Sequence, residues 1–185
     1  MSNLLLLVDI QNDYFPGGAM ELVGINEAAE NARSILNDFR LKNLPVIHVQ
    51  HISNHPGATF FLPGTHGSEI NQMVSPSGDE PVVVKNFPNS FRGTSLQEML
   101  NMKKPENLVI CGAMSHMCID ATTRAAFDLG FNCMVAEDAC ATRDLVFKGK
   151  TIKASDVHGS FMAALSSPYA KVISTREIIV SNNQF

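Results

Sequence analysis

The sequence lacks any cluster of basic residues. Its 185 residues carry a formal net charge of -4, and no run of Lys or Arg exceeds the pair Lys103-Lys104. Nucleic acids and anionic membranes attract proteins mainly through clustered positive charge. The composition therefore predicts that neither is a partner, and we expect a small molecule instead.

The sequence also lacks the long apolar segment of a membrane-spanning helix. The N-terminal apolar run Leu4–Val8 is short and ends at Asp9, and no basic residue precedes it. A membrane-spanning helix needs about 20 apolar residues, and a secretory signal needs a basic start. We therefore expect a cytoplasmic protein without a membrane anchor.

Cysteines are few, and none of them forms a Cys-x-x-Cys pair. The four are Cys111, Cys118, Cys133 and Cys140. This spacing argues against a zinc ribbon or a thioredoxin-type redox motif. A chain of this length, with 45% apolar residues, can bury a core without disulfides. We interpret all four as free thiols and predict one domain over residues 1–185.

Short apolar runs alternate with amphipathic segments along the chain. The runs do not alternate with polar residues, which is typical of parallel strands buried on both faces. They are Leu4–Val8, Pro45–Val49, Pro81–Val84, Leu108–Cys111, Cys133–Ala136 and Lys171–Ile173. Helices are predicted over Asn26–Lys42, Thr94–Met102, Cys118–Leu129 and Lys150–Leu165. The pattern predicts a three-layer α/β/α fold around a parallel sheet.

Three reactive side chains follow strands of this predicted sheet. Asp9 and Lys85 come directly after the first and third runs, and Cys118 follows the fourth after a short loop. Ligands of open parallel sheets bind at the carboxyl ends of the strands. Each residue also has an ordinary interpretation: a turn-forming aspartate, a surface lysine and a buried, inert thiol.

Together the three side chains supply the groups needed for acyl transfer. Cys118 would be the nucleophile, Asp9 the base that takes its proton, and Lys85 the charge that stabilises the thiolate. A position at the start of a helix predicts a lowered pKa for Cys118. We predict that Cys111 and Cys133, within strands, and Cys140, in a loop, are unreactive.

Three segments resemble known motifs. Residues 9–18 read Asp-Ile-Gln-Asn-Asp-Tyr-Phe-Pro-Gly-Gly, residues 85–91 read Lys-Asn-Phe-Pro-Asn-Ser-Phe, and residues 111–118 read Cys-Gly-Ala-Met-Ser-His-Met-Cys. In this order they resemble the motifs of the isochorismatase-like cysteine hydrolases. Members of that family cleave C–N bonds in small amides, carbamoyl compounds and ureido compounds, or hydrolyse the vinyl ether of isochorismate.

The resemblance implies a six-stranded parallel sheet in the order 3-2-1-4-5-6 and a triad of Asp9, Lys85 and Cys118. It also implies a cis peptide between Ala113 and Met114 and a homo-oligomer. The backbone N–H groups of Met114 and Cys118 are the predicted oxyanion hole, because they lie at the start of a helix.

Six residues are candidates for the substrate pocket. Phe15 and Phe91 lie near triad members in sequence, and Phe60, in the irregular segment after the second strand, is either a pocket wall or a core residue. The polar candidates, which can also serve as turn or loop residues, are Gln11, Asn89 and His116.

Histidines are concentrated after the second predicted strand. They are His48, His51, His55 and His66, and no Asp or Glu lies between the first and the last. The nicotinamidases of the family bind a metal there through an Asp and two His. Because the carboxylate is missing, we predict no metal, no cofactor and a member outside the nicotinamidase branch.

The sequence therefore predicts a cysteine hydrolase that cleaves a C–N bond of a small amide, carbamoyl or ureido compound. Two alternatives stay open: an isochorismatase acting by acid catalysis from Asp9, and a non-catalytic binding or thiol-redox protein on the same fold.

Overall fold

The computed structural model describes residues 3–182. Eight strands occur in chain order: β1 Asn3–Val8, β2 Val46–His51, β3 Val82–Lys85, β4 Asn107–Ala113, β5 Cys133–Ala141, β6 Leu145–Phe147, β7 Lys150–Ile152 and β8 Lys171–Ile173. The helices are α1 Ile25–Leu41, α2 Leu96–Lys103, α3 Asp120–Asp128, α4 Ala154–Leu165 and α5 Thr175–Ser181. None of these helices is long and apolar enough to cross a membrane.

Six strands form one parallel sheet in the order β3-β2-β1-β4-β5-β8. Since β6 and β7 pair only with each other, β8 is the sixth strand of the main sheet. The predicted three-layer architecture and the predicted order 3-2-1-4-5-6 are therefore confirmed. In this order β1 and β4 lie at the centre, where the chain reverses direction across the sheet and ligands usually bind.

Strand β1 shows why the apolar runs do not alternate with polar residues. Leu5 and Leu7 point into a core shared with α1, whereas Leu4 and Leu6 point into a second core that contains residues of α2 and α4. All four leucines are buried. Burying each one stabilises the fold by about 1.5–3 kcal/mol, so both faces of the sheet require apolar side chains.

The predicted helix over Lys150–Leu165 is wrong in its first residues. Lys148 and Gly149 both have positive φ, of 51° and 75°, and form the tight turn of the β6–β7 hairpin. The helix starts only at Ala154, whose backbone N–H donates to the Asp144 side chain at 2.8 Å. This bond satisfies a free donor at the helix start and fixes its position.

Two other sequence predictions need correction. The segment predicted as a helix from Cys118 begins with a wide π-type turn over Ser115–Ile119, and regular α-helix starts at Asp120. Cys140 lies in β5 and not in a loop, because that strand continues to Ala141 beyond an irregularity in its pairing with β4. Helix α5 was not predicted.

Candidate active site

Three strand ends bring the predicted triad residues into contact. Asp9 follows β1, Lys85 ends β3, and Cys118 lies in the turn after β4. The Lys85 Nζ atom is 2.7 Å from Asp9 Oδ2 and 3.3 Å from Cys118 Sγ. The three residues are 0%, 1% and 4% exposed. A buried ion pair therefore stands beside a buried thiol.

The backbone is specialised where β1 meets β4. Asp9 has a φ of 54°, in the left-handed region that Asp tolerates better than most residues. Beside it, Gly112 has a φ of 127°, and a Cβ atom there would lie 1.9 Å from the carbonyl oxygen of Val8. Only glycine permits this approach of the two strands. The position of Asp9 thus depends on a glycine in the neighbouring strand.

The charges around Cys118 act against the predicted lowering of its pKa. Burial raises the pKa of the Cys118 thiol, and the neighbouring Asp9 carboxylate raises it further, while Lys85 only partly opposes both. The expectation drawn from the helix start is corrected here, because burial and a negative neighbour outweigh it. The resting nucleophile is a neutral thiol that needs a base.

Asp9 and Lys85 differ in how they can serve this thiol. Burial would lower the pKa of Lys85, but the neighbouring Asp9 and Cys118 outweigh burial and raise it, so the lysine is an ammonium. The Oδ1 atom of Asp9 is buried and accepts no hydrogen bond from the described residues. It therefore keeps a lone pair for a proton, which suits a general base.

His51 is a fourth member of the site that the sequence did not predict. Strands β2 and β3 pair with His51 opposite Lys85, and His51 Nδ1 lies 3.0 Å from Lys85 Nζ. Burial and, to a smaller extent, the positive charge of Lys85 together lower the pKa of His51 to about 4, although the Asp9 carboxylate opposes them. The imidazole is therefore neutral at physiological pH.

Atoms of Asp9, His51 and Cys118 lie within 4.8 Å of one another, the one such group of potential metal ligands in residues 3–182. The Lys85 ammonium contacts all three residues. A metal would have to displace this ammonium, so the residues fit a metal poorly. The other histidines near this segment have separate partners, which are Glu80 for His48, Glu69 for His66 and the Pro56 carbonyl for His55.

A cavity of about 370 Å³ opens onto Cys118. Its wall combines aromatic rings, methionines and neutral polar side chains. The lining residues are Tyr14, His51, Ser53, Asn54, His55, Phe60, Phe61, Asn86, Phe87, Pro88, Met114, Met117 and Cys118. The Phe61 ring centroid lies 4.6 Å from that of Tyr14 and 4.9 Å from that of Phe60. This wall suits an apolar or planar ligand.

Of the six predicted pocket residues, Phe60 lines this cavity and the others do not. Phe15 borders a separate surface cleft beside Gly17. The Asn89 side chain accepts a hydrogen bond from the backbone N–H of Phe91 at 2.9 Å, and the Phe91 ring stacks on another phenylalanine. His116 Nδ1 lies 2.6 Å from the Thr142 hydroxyl. Closeness in sequence did not place these side chains in the cavity.

Gln11, the remaining candidate, acts on the backbone of His51. Its Nε2 atom donates to the His51 carbonyl at 2.8 Å, and its Oε1 atom accepts from the His51 N–H at 2.7 Å. Nε2 also donates to the Ser68 carbonyl. Gln11 is fully buried and therefore fixes the end of β2 without touching the cavity.

Asp13 fixes the backbone of the aromatic wall in a similar way. Its Oδ2 atom accepts a hydrogen bond from the Phe61 N–H at 2.6 Å, and its Oδ1 atom accepts one from the Ala19 N–H at 3.2 Å. The carboxylate lies against Gly67, where a Cβ atom would clash with it. The sequence analysis did not single out this residue, although Asp9, Gln11 and Asp13 occupy alternate positions in the same motif.

The turn before the nucleophile contains a cis peptide between Ala113 and Met114. Met114 and Cys118, whose N–H groups are the predicted oxyanion hole, both line the cavity. Ser115 ties the turn to β5 by donating to the Ala141 carbonyl at 3.2 Å. The nucleophile turn is thus attached to the sheet on the side away from Lys85.

Comparisons with known proteins identify the family of the chain. The family model of the isochorismatase domain matches residues 3–177. The chain is 49% identical to YddQ, an isochorismatase-family protein of Bacillus subtilis. The aligned region has 179 residues and covers 97% of this chain and 99% of YddQ. A crystal structure from Oleispira antarctica, assigned to the isochorismatase hydrolases, has a TM-score of 0.93 at 50% identity and covers 97% of this chain and 96% of its own.

A third relative has a named reaction. The streptothricin hydrolase of Streptomyces noursei is 33% identical over 167 residues, which are 90% of this chain and 57% of that enzyme. The family match spans nearly all of the described residues and contains Asp9, Lys85 and Cys118. The chain belongs to the isochorismatase family of hydrolases.

Proposed function

We propose that this hydrolase cleaves the C–N bond of a small amide, carbamoyl or ureido compound through a thioester on Cys118. The observation that carries the proposal is the contact of one ammonium, Lys85, with both the thiol and the carboxylate at a mainly apolar cavity. The similarity to streptothricin hydrolase supports hydrolysis in preference to a binding role.

The first half of the reaction acylates the enzyme. Asp9 takes the thiol proton as Cys118 Sγ bonds to the substrate carbonyl carbon, and the carbonyl π electrons move to oxygen. The N–H groups of Met114 and Cys118 would stabilise this oxyanion. When the oxyanion collapses, the C–N bond breaks, and the leaving nitrogen takes the proton that Asp9 holds.

The second half releases the acid. A water molecule gives a proton to Asp9, and its oxygen bonds to the thioester carbon. Collapse of this intermediate breaks the C–S bond, and the sulfur takes the proton back from Asp9. The products are a carboxylic or carbamic acid and the free thiol. Lys85 remains an ammonium throughout and stabilises the negative charge that passes between oxygen and sulfur.

A panel of small amides, carbamoyl compounds and ureido compounds tests the proposal. With a compound that is hydrolysed, we expect mass spectrometry to find the acyl group on the peptide that contains Cys118. Cys118→Ala should abolish turnover, and Cys133→Ala is the matched control, because Cys133 is also buried but lies outside the site. Full hydrolysis of the amide by Cys118→Ala would contradict the proposal.

The same variants distinguish the isochorismatase alternative. Acid catalysis of vinyl ether cleavage uses Asp9 and forms no bond to sulfur, so Cys118→Ala would retain it and Asp9→Asn would lose it. If isochorismate is consumed by both the parent protein and Cys118→Ala while every amide is left intact, the chain is an isochorismatase and not an amidohydrolase.

A further inference from the structure

The Lys85 ammonium has no hydrogen left for a ligand. An ammonium has three N–H donors and no acceptor. Three acceptors lie within reach of Nζ: Asp9 Oδ2 at 2.7 Å, His51 Nδ1 at 3.0 Å and Cys118 Sγ at 3.3 Å. Because Lys85 can only donate, Nδ1 of His51 must accept. The histidine therefore uses the one donor that the other two residues leave free.

This contact fixes the state of the His51 ring. A neutral imidazole whose Nδ1 accepts carries its proton on Nε2. Nε2 has no hydrogen-bond partner among residues 3–182, and His51 lines the cavity. The N–H of Nε2 is therefore the donor that the ring can offer to a ligand. Gln11 clamps the His51 backbone on both sides and holds the ring in place.

The rest of the cavity provides no positive charge. Within residues 3–182, no Lys or Arg lines it, and its polar lining includes Ser53, Asn54, Asn86 and His55. The Asn86 amide already donates to the Ile52 carbonyl at 2.7 Å. A carboxylate ligand that entered the cavity would find all three N–H groups of the Lys85 ammonium already donated to Asp9, His51 and Cys118. Burial of an unpaired charge is costly, so the carboxylate would be rejected.

We propose that His51 determines the specificity of the site: its Nδ1 withholds Lys85 from ligands, and its Nε2–H donates to the substrate, so that the site accepts neutral, planar amides and rejects carboxylates. The inference rests on the proposed function, because it names the substrate class of the same cavity. It adds a residue outside the Asp9, Lys85 and Cys118 group and a physical reason for selecting uncharged compounds.

Benzamide and benzoate are suitable probes, since they share size and shape and differ in charge. The measurement is the concentration of each that half-protects Cys118 from alkylation, read by peptide mass spectrometry at mildly alkaline pH. For the parent protein we expect benzamide to protect at a concentration at least about tenfold below that of benzoate. Binding is read without turnover, so a failed hydrolysis assay and a failed specificity assay are separate results.

Two substitutions of His51 separate the roles of its nitrogens. His51→Ala frees one N–H of Lys85, and benzoate should then protect about tenfold better. In His51→Asn the side-chain oxygen can take the place of Nδ1, so benzoate stays excluded, whereas benzamide loses the Nε2–H donor and binds about tenfold more weakly. His66→Ala is the matched control, because His66 belongs to the same segment after β2 but bonds to Glu69 and does not line the cavity.

Three outcomes would overturn the inference. One is equal protection of the parent protein by benzamide and benzoate, and another is that neither compound protects it. The third is a folded His51→Ala variant, verified by thermal melting, with the parent ratio of the two half-protecting concentrations. If His51→Ala does not fold, the parent ratio and the His51→Asn variant decide the matter.

Discussion

Single residues around Cys118 set when its thiol loses a proton. Burial and the Asp9 carboxylate both raise the pKa of the thiol, and Lys85 opposes them. Removing the negative charge by Asp9→Asn should therefore lower that pKa. At any given alkaline pH we expect Cys118 to be alkylated faster in the variant than in the parent protein, while hydrolysis is lost because the base is gone.

The measurement is iodoacetamide labelling of individual peptides as a function of pH. Cys133 is the internal control, because burial alone raises its pKa to about 12 and Asp9 is not among the causes. Its labelling profile should be the same in both proteins. A Cys118 profile that stays in place or moves to higher pH in Asp9→Asn would show that the carboxylate does not act on the thiol as described.

For individual residues, the sequence predicted which side chains carry the chemistry better than it predicted which side chains contact each other. Asp9, Lys85 and Cys118 could be identified because each follows an apolar run. The role of His51 could not, because it depends on the register that places His51 opposite Lys85 in neighbouring strands. No local sequence pattern specifies that register, because the segment that joins β2 to β3 is long and its length does not determine which residues of the two strands face each other.

Among the elements, the long segment between β2 and β3 is held to α1 by Glu80. Arg40 donates to both carboxylate oxygens at 2.7 Å, and His48 Nε2 lies 2.9 Å from one of them. Burial would raise the pKa of Glu80, but the hydrogen bonds from Arg40, the Ser77 N–H and His48 together lower it to about 2. The folded protein therefore holds this carboxylate ionised in acid.

Glu80→Gln tests this anchor. The ordinary pKa is 4.5 and the folded value is about 2, so the stability that Glu80 contributes is present above pH 4.5 and lost as the pH falls to about 2. The variant should lose about 1–3 kcal/mol of unfolding free energy at neutral pH. Urea denaturation across this range measures it, and a difference that persists unchanged at the acidic end would contradict the assignment.

The elements themselves were mostly predictable, and the errors have local causes. Every predicted sheet strand occurs. In the central strand β1 apolar side chains are buried on both faces, whereas the edge strand β3 exposes Val82 and Val84 on one face. The β6–β7 hairpin was missed because Lys148-Gly149 is not one of the Asn-Gly or Asp-Gly pairs that mark such turns, and because Ile152 also fitted the apolar period of the following helix. Helix α5 begins with a capping box between Ser174 and Glu177, a sequence signal that was also overlooked.

For the whole molecule, a homo-oligomer remains a prediction that follows from the family resemblance. Light scattering coupled to size-exclusion chromatography should give a mass of at least about twice the 20.1 kDa of the chain. The measurement should be repeated after dilution, because a weak assembly dissociates by mass action. A mass of one chain at every concentration would contradict the prediction.

The three-acceptor arrangement around Lys85 has a consequence for how ligands arrive. The ammonium and the Asp9 carboxylate cancel, and Cys118 and His51 are neutral at rest. The resting site therefore presents no net charge to a distant ligand. The site itself therefore does not attract a charged ligand over distance, and a neutral amide, which carries no net charge either, should enter the cavity at a rate that does not change with ionic strength.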